Sequence, residues 1–284
     1  MVFLVPKIQF GLSRVCANLL IAALMCSLFS LPAVSQTTKT ASIKRGSETA
    51  KNGFRNEADV AAKLLNWRND AEGSNWLSAM GYPIDEVEAV VASRPHGEKA
   101  DVVAVIRTAA GEFTERISIK LVSSINGFNQ IDKRWLSAYA RMWKMPDDVR
   151  KSLSLFVGEK PPVGRSRRPA RMFLNELPKE EQAKVIDFFS ASKEAIISDL
   201  IAGDGATDAE WLLVIWKPAD RPRWTLRNVQ DVARFYAEGD VEITRAGNLK
   251  IGRITMQRKG GDGGRETAKM LQFKMNPALL FNAK

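Results

Sequence analysis

Two short apolar runs, residues 102–106 and 117–122, are separated by a turn-like stretch around residues 109–112. Such a pattern predicts two β-strands joined as a hairpin. Side chains alternate across a strand, so Ser118 and Lys120 are expected on the same face of the second strand.

The remaining apolar periodicity predicts a mixture of helices and strands. Helices are expected near residues 56–67, 75–80, 85–91, 131–143, 147–156, 177–200 and 229–238, a strand at 211–216, and a hairpin from 241–244 and 249–256. A loop is expected at residues 123–130, before the fourth of these helices. This mixture favours an α/β fold with a mixed central β-sheet flanked by helices.

The composition narrows the chemistry that the chain can perform. Both cysteines, Cys16 and Cys26, lie near the N-terminus, and His96 is the single histidine. From residue 37 onward this excludes disulfides, cysteine nucleophiles and thiolate zinc sites. His96 itself is interpreted as an exposed loop residue. A metal ion would therefore be held mainly by oxygen ligands, which points to Mg²⁺.

The chain carries a formal net charge of +10 over 284 residues. A globular protein this basic favours polyanionic partners, either nucleic acid or an anionic membrane surface. Basic residues are dense in the proline-containing stretch 158–171, which is either a solvated loop or a clamp on a phosphate backbone.

Residues 1–36 have the shape of a secretory signal. Lys7 and Arg14 precede the apolar residues 17–31, and small residues follow at Ala33 and Ser35. A short membrane anchor, or an upstream region translated from a start codon placed too early, are the alternatives. Residues 36–48 are polar and are interpreted as a linker.

The hairpin carries a pair of residues with nuclease chemistry. Asp101 stands directly before the first strand and Lys120 lies in the second. In many metal-dependent nucleases a carboxylate on one strand holds a divalent cation, and a lysine on the next lies near the attacking water. The residue two positions before that lysine is usually an acid, but here it is Ser118, and Glu115 lies on the opposite face. The alternative is that these are ordinary solvated charges of a hairpin.

A glycine-rich basic segment lies near the C-terminus, at residues 257–267. Its glycines let the backbone approach a ligand closely, and Gln257, Arg258, Lys259 and Arg265 supply hydrogen-bond donors around them. The segment lacks the Gly-Lys-Ser/Thr order of a Walker loop.

Several blocks of the sequence, in order, resemble the HinP-type restriction endonucleases, the type II enzymes that cut GCGC. The blocks are GSETAKNGFRNE at 46–57, KLVS at 120–123, GFNQIDK at 127–133, QRKGGD at 257–262, GRET at 264–267 and MLQFK at 270–274. The resemblance extends over roughly residues 46–282 and implies one restriction endonuclease domain over residues 37–284. Its catalytic core would lie at about 46–160, with DNA-recognition elements at about 123–134 and 245–275.

The resemblance implies a restriction-endonuclease-like PD-(D/E)xK core and an Mg²⁺ cofactor. Asp101 matches the metal-binding aspartate of the family and Lys120 its catalytic lysine. Ser118 stands where the family has a glutamine, and a serine hydroxyl reaches less far. Glu57, on a helix beside the sheet, is expected to be a further metal ligand.

The resemblance also implies DNA-binding residues in the recognition loops. Reading a G·C site in the major groove requires donors to guanine O6 and N7 and acceptors for cytosine N4. The candidates are Phe128, Asn129, Gln130, Lys133, Arg258, Lys259, Asp262 and Arg265. Phe128 has the further potential to wedge between base pairs.

The expected activity is hydrolysis of double-stranded GCGC after the first G, leaving 5′-phosphates. The expected partners are DNA and a cognate cytosine DNA methyltransferase, and the enzyme would act as a monomer or homodimer. A cytoplasmic location follows from this function and conflicts with residues 1–36. The alternatives are an exported, less specific nuclease and, because of Ser118, a DNA-binding protein that does not cleave.

Overall fold

The framework of the molecule is a mixed five-stranded β-sheet. In the computed structural model its strands are β1 (Val87–Ser93), β2 (Val102–Thr108), β3 (Gly111–Val122), β5 (Trp211–Trp216) and β6 (Arg223–Asn228), in the order β1-β2-β3-β5-β6. The β3–β5 pairing is parallel, and the other neighbours are antiparallel. β3 therefore lies at the centre of the sheet.

A second, antiparallel sheet is built largely from the C-terminal part of the chain. Its strands are β4 (Asn129–Arg134), β7 (Val241–Ile243), β8 (Leu249–Ile251), β9 (Ile254–Arg258) and β10 (Leu271–Met275), in the order β4-β10-β9-β8-β7. β4 follows β3 in the chain, so the strand that leaves the first sheet becomes an edge of the second.

Seven α-helices accompany the sheets within the part of the chain that the structure describes, which is residues 53, 55–203, 205, 207–216, 223–261 and 265–283. They are α1 (55–65), α2 (Ala71–Ala79), α3 (Leu136–Met142), α4 (Asp147–Val157), α5 (Lys179–Ala191), α6 (Lys193–Ile201) and α7 (Val229–Ala237). All described residues belong to one compact unit spanning residues 50–284. The signal-like residues 1–36 and Asp262 lie outside the described residues.

Alternation along β3 and β5 divides the hydrophobic core into two. Ile117 and Ile119 pack with Val60 and Leu64 of α1 on one side of the first sheet. On the other side, Val214 belongs to a larger core shared with helices α3 to α7 and the second sheet. A strand buried on both faces must satisfy any polar side chain that it carries, because burying a polar group without a partner is costly.

The prediction of an α/β fold with a mixed central sheet and flanking helices is confirmed. The hairpin strands and the strand at 211–216 are present, and the helices predicted near 147–156 and 229–238 correspond to α4 and α7.

Four of the predicted elements are wrong in type or extent. Residues 85–91 form a short 3₁₀ turn and β1 instead of a helix, and residues 129–134 form β4 before α3 begins. In both cases long-range pairing with another strand prevails over a helix-like spacing in a short apolar run. The predicted helix at 177–200 is two helices that meet at Ser192, and the stretch 249–256 is divided between two strands, β8 and β9.

Among the described residues, no helix combines the length and the apolar character needed to cross a membrane.

The turn between β8 and β9 is held against the end of α7. Gly252 has φ +55°, and a Cβ added there would lie 2.4 Å from the Tyr236 carbonyl oxygen. The Gly252 N–H donates to Asp240 O at 3.1 Å and the Arg253 N–H to Tyr236 O at 2.8 Å. These contacts position β9, which leads into the glycine-rich basic segment.

We expect Gly252→Ala to destabilise the protein more than Gly81→Ala. Gly81 also has a positive φ, +97°, but a Cβ there meets nothing within 4 Å. Each alanine should cost about 1–2 kcal/mol for its backbone conformation, and the overpacking at Gly252 should add about 1–3 kcal/mol. Urea unfolding of both variants measures the difference, and equal free energies of unfolding would refute the close packing of this turn.

Candidate active site

Asp101 and Ser118 meet across the antiparallel β2–β3 pair. The Asp101 N–H donates to Ile117 O at 2.9 Å, which continues the ladder one residue beyond β2. Asp101 Oδ2 accepts the Ile119 N–H at 2.6 Å and the Ser118 hydroxyl at 3.2 Å. Two donors on one oxygen orient the whole carboxylate rigidly at the end of the strand.

Lys120 completes this arrangement from the same face of β3. Its ammonium donates to Ser118 Oγ and to Ile119 O, each at 3.1 Å, and lies 4.0 Å from Asp101 Oδ2. Ser118, which is 2% exposed, therefore accepts from the cation and donates to the anion. Strand alternation correctly predicts that Ser118 and Lys120 share a face. Glu115 instead accepts from Tyr82 and Trp211, at 2.5 and 2.6 Å.

Glu57, on α1, lies within electrostatic range of Asp101. Burial raises the pKa of the Glu57 carboxyl group, and the negative charge of Asp101 raises it further, while Arg94, Lys120 and His96 act in the opposite direction. A carboxyl group whose pKa is raised by a neighbouring carboxylate can form, with that neighbour, a suitable donor pair for a divalent cation. Among the described residues, no cluster of three or more His, Cys, Asp or Glu could hold a metal.

The electrostatic influence of Arg94 and His96 on Glu57 was not predicted from the sequence. Both side chains are exposed, as expected for His96, yet their positive charges lower the pKa of Glu57. In the sequence, both residues lie in the turn-like segment that leads into Asp101. Such a composition predicts a loop, but it does not show which side chains the loop brings near Glu57.

Lys99 is a second residue that the sequence analysis did not identify. Its ammonium donates to Ile131 O at 3.0 Å and to Leu200 O at 2.5 Å, so it ties β4 to the last turn of α6. Burial lowers the pKa of Lys99 to about 8, and the positive charge of Lys120 contributes in the same direction. Lys99 thus holds the Asp101 segment against the second sheet.

The structure places four of the predicted DNA-binding residues together, beside the end of β3. Phe128 is 56% exposed, and the Asn129 side-chain amide donates to Leu121 O at 3.0 Å. Gln130 is an exposed residue of β4, and Lys133 lies further along the same strand, partly buried. All four were expected in a loop or helix, and β4 presents three of them on a strand.

Three further predicted DNA-binding residues, Arg258, Lys259 and Arg265, lie at the end of β9 or in the segment that follows it. Arg258 donates from Nε to Val157 O at 2.7 Å, so part of its guanidinium caps α4. The Lys259 N–H donates to Met270 O at 2.8 Å, and Arg265 is an exposed residue directly before a short 3₁₀ helix. Arg258 therefore has a contact within the protein, at the end of α4, in addition to its predicted contact with DNA.

Part of the basic stretch at 158–171 is anchored to the protein. The guanidinium groups of Arg167 and Arg171 each lie 4.1 Å from the ring centre of Phe173, and Arg167 pairs with Glu176. Burial lowers the pKa of Arg171 to about 10, and the nearby charge of Arg258 adds to this effect. These arginines form a positively charged cluster beside α4.

The chain is similar to known proteins in sequence and in fold. The family model described as R.HinP1I restriction endonuclease matches residues 80–281. Among solved structures, the restriction endonuclease MspI in complex with its cognate DNA is similar in fold, with a TM-score of 0.52 and 14% sequence identity. The similarity covers 72% of this chain and 77% of that chain. No curated protein sequence matches the chain significantly.

We expect Glu57→Gln to raise the melting temperature at about pH 8 when divalent ions are removed. The pKa of Glu57 is higher in the folded protein than its ordinary value of 4.5. The folded state therefore binds the extra proton, so stability falls as pH rises from the unfolded value through the folded one. Below about pH 4 the group is protonated in both states, and the variant should have no advantage.

Thermal unfolding across this pH range, with EDTA and with MgCl₂, measures the effect. Mg²⁺ should raise the melting temperature of the wild type more than that of Glu57→Gln, because it binds the native carboxylate pair. Glu88→Gln, which changes an exposed glutamate of β1, is the control. A pH-independent difference between Glu57→Gln and the wild type would contradict the electrostatic explanation.

Proposed function

The chain belongs to the R.HinP1I restriction endonuclease family and is a type II restriction endonuclease, and on this premise we propose its target, cofactor and mechanism. The proposed target is double-stranded GCGC, cleaved after the first G by Mg²⁺-dependent hydrolysis that leaves 5′-phosphates. The observation that supports catalysis at the hairpin is the contact between Asp101, Ser118 and Lys120, with Glu57 within electrostatic range.

Asp101 and Glu57 would hold the Mg²⁺ ion. The Asp101 carboxylate is oriented by hydrogen bonds from the Ile119 N–H and the Ser118 hydroxyl. When bound, Mg²⁺ supplies charge neutralisation at the phosphate and a lower pKa for water. Since Mg²⁺ commonly combines one or two carboxylates with substrate phosphate oxygens, two protein carboxylates are sufficient.

Lys120 would stabilise the negative charge that develops on the phosphate during in-line attack by water. Its ammonium is held by Ser118 Oγ and Ile119 O, with a side chain only 17% exposed. A preoriented cation in a partly dehydrated site stabilises a transition state more than a mobile one in water. Ser118 would act by positioning both Asp101 and Lys120.

Double-stranded DNA is the proposed partner. The net charge of +10 favours a polyanion, and the similar fold of MspI was solved with its cognate DNA. Phe128, Asn129, Gln130 and Lys133 would contact the DNA beside the active site. Arg258, Lys259, Asp262 and Arg265 would do so from the glycine-rich segment.

A cognate cytosine methyltransferase would protect the host DNA, and the enzyme would act in the cytoplasm as a monomer or homodimer. The methyltransferase follows from the proposed cleavage of unmodified GCGC, because an enzyme with this short target site would otherwise cut the DNA of its own cell. The cytoplasm is proposed because a restriction enzyme outside the cell would protect nothing.

Digestion of matched DNA should test the target directly. We expect Mg²⁺-dependent cutting of unmethylated DNA, with sequenced ends that all lie after the first G of GCGC, and no cutting of GCGC-methylated DNA. Random ends would support a less specific nuclease instead. Binding without cutting at any Mg²⁺ concentration would support a DNA-binding protein on a nuclease fold.

Asp101→Ala should abolish cleavage while leaving DNA binding largely intact. Removing one group that stabilises charge in a transition state costs about 100- to 1,000-fold in rate, and loss of a metal ligand should cost at least as much. Single-turnover cleavage and DNA binding in Ca²⁺ measure the two effects. Asp187→Ala, at an exposed aspartate of α5, should cleave normally. Normal cleavage by Asp101→Ala would refute the assignment of the site.

A further inference from the structure

Three glutamines lie side by side on the polar face of the second sheet. Gln257 and Gln272 are paired residues of β9 and β10, and Gln130 lies on the neighbouring strand β4. Buried residues such as Phe273 alternate with them and face the hydrophobic core on the other side. The three glutamines are therefore on the side of the sheet that faces away from this core.

Hydrogen bonds join these three side chains into an amide ladder, Gln257–Gln272–Gln130, that runs in one direction. Gln257 Nε2 donates to Gln272 Oε1 at 3.3 Å, and Gln272 Nε2 donates to Gln130 Oε1 at 2.6 Å. Gln272 is 8% exposed, so its amide needs both bonds. The direction of one bond fixes that of the other, because each amide has one acceptor oxygen and one donor nitrogen.

The two ends of the amide ladder consequently differ in chemistry. Gln130 has its oxygen engaged and presents its NH₂ donors, while Gln257 has its nitrogen engaged and presents its carbonyl oxygen. Gln130 is exposed and Gln257 partly exposed, so both ends are accessible to a ligand. Lys133 and Lys274 lie on the same face of the sheet, paired with Gln272 and Gln130 respectively, and give it a positive character.

The Gln130 end of the amide ladder lies beside the active-site segment. A cavity of about 380 Å³ is lined by Gln130 and Lys133 of β4 and by Glu98 and Lys99, which lie three and two residues before Asp101 in the chain. The adjacent Asn129 is tied to Leu121, one residue after Lys120. A duplex positioned for cleavage would therefore pass close to this end.

We propose that the amide ladder reads bases of the target site, with Gln130 donating to guanine O6 or N7 and Gln257 accepting from cytosine N4. Gln272 is a positioning residue that sets which end donates and which accepts. The ends are two strand spacings apart, about 10 Å, or about three base-pair steps. They would thus meet different base pairs of one short G·C site. The inference rests on the proposed function and assigns part of its sequence recognition.

An antiparallel sheet often has a polar face that is simply solvated. Two observations distinguish this face: its central glutamine is nearly inaccessible, and the amides bond to one another in sequence. A buried amide with both groups satisfied is held in a single orientation, which base reading requires.

The test is selection of bound duplexes from a pool with randomised target positions, in Ca²⁺, followed by sequencing. In Gln272→Glu the carboxylate still accepts from Gln257 but cannot donate to Gln130. The Gln130 amide should then turn over and present its oxygen, so discrimination should fall by about 10- to 100-fold at one base position. Gln272→Met, which has no polar group, should lower discrimination at both positions.

Thr255→Val is the matched control, because Thr255 lies on the same face of β9, two residues from Gln257, and is outside the amide ladder. It should leave the selected sequence unchanged. Gln130→Met changes an exposed position and provides a second test of base reading if circular dichroism shows that the buried Gln272 variants do not fold. It should lose discrimination only at the base that Gln130 contacts.

The results separate this inference from the proposed function. If the wild type selects a sequence but does not cleave with Mg²⁺, the proposed hydrolysis is refuted. The sequences bound by the wild type and the variants still test the amide ladder in that case. If folded Gln272 and Gln130 variants select the same bases as the wild type with the same discrimination, the amide ladder does not read DNA. A uniform loss of affinity without a change in selected bases would also overturn it. A wild type that selects no sequence refutes both.

Discussion

The parallel pairing of β3 with β5 is the constraint on which the rest of the site depends. It places β3 at the centre of the first sheet, with hydrophobic cores on both of its faces. Polar side chains in such a strand must satisfy one another. Asp101, Ser118 and Lys120 do so through one carboxylate oxygen, one hydroxyl and one ammonium group, and the same contacts that meet the cost of burial also orient the reactive groups.

Restricted access to water then couples the charges around this strand. Burial raises the pKa of Glu57, and the negative charge of Asp101 raises it further. Burial lowers the pKa of Lys99, and the positive charge of Lys120 lowers it further. Lys99 has the further effect of joining the Asp101 segment to β4 through Ile131 O. The hairpin segment that carries Asp101 and the second sheet are thereby connected next to Gln130, where the amide ladder begins.

The central hairpin could be predicted from the sequence because its pattern is local. Alternation within residues 115–120 was enough to place Ser118 and Lys120 on one face and Glu115 on the other. β4 could not be predicted in the same way. Its residues Asn129–Arg134 gain their strand conformation from pairing with β10, which lies more than a hundred residues later in the chain. A local spacing of apolar residues contains no information about that partner, and it favoured a helix.

The same reasoning explains which site residues were missed. Lys99 lies two residues before Asp101, but its role depends on carbonyl oxygens of β4 and α6, elements distant in sequence. Gln272 was part of a family-like block without an assigned role, because its significance arises only when β10 lies between β4 and β9.

Ser118 is a small, uncharged residue at a central position of this site, and this affects how its neighbours are held and how much negative charge the site carries. Because it stands opposite Asp101 and two residues from Lys120, its hydroxyl can reach both, and it needs no length to do so. It contributes no negative charge, however, and its oxygen is already engaged twice. Of the proposed ligands for a cation, Asp101 and Glu57 would therefore supply the negative charge. Since the negative charge of Asp101 raises the pKa of Glu57, a cation that binds both side chains would relieve this repulsion, and Glu57 would be more important here than beside a third acid.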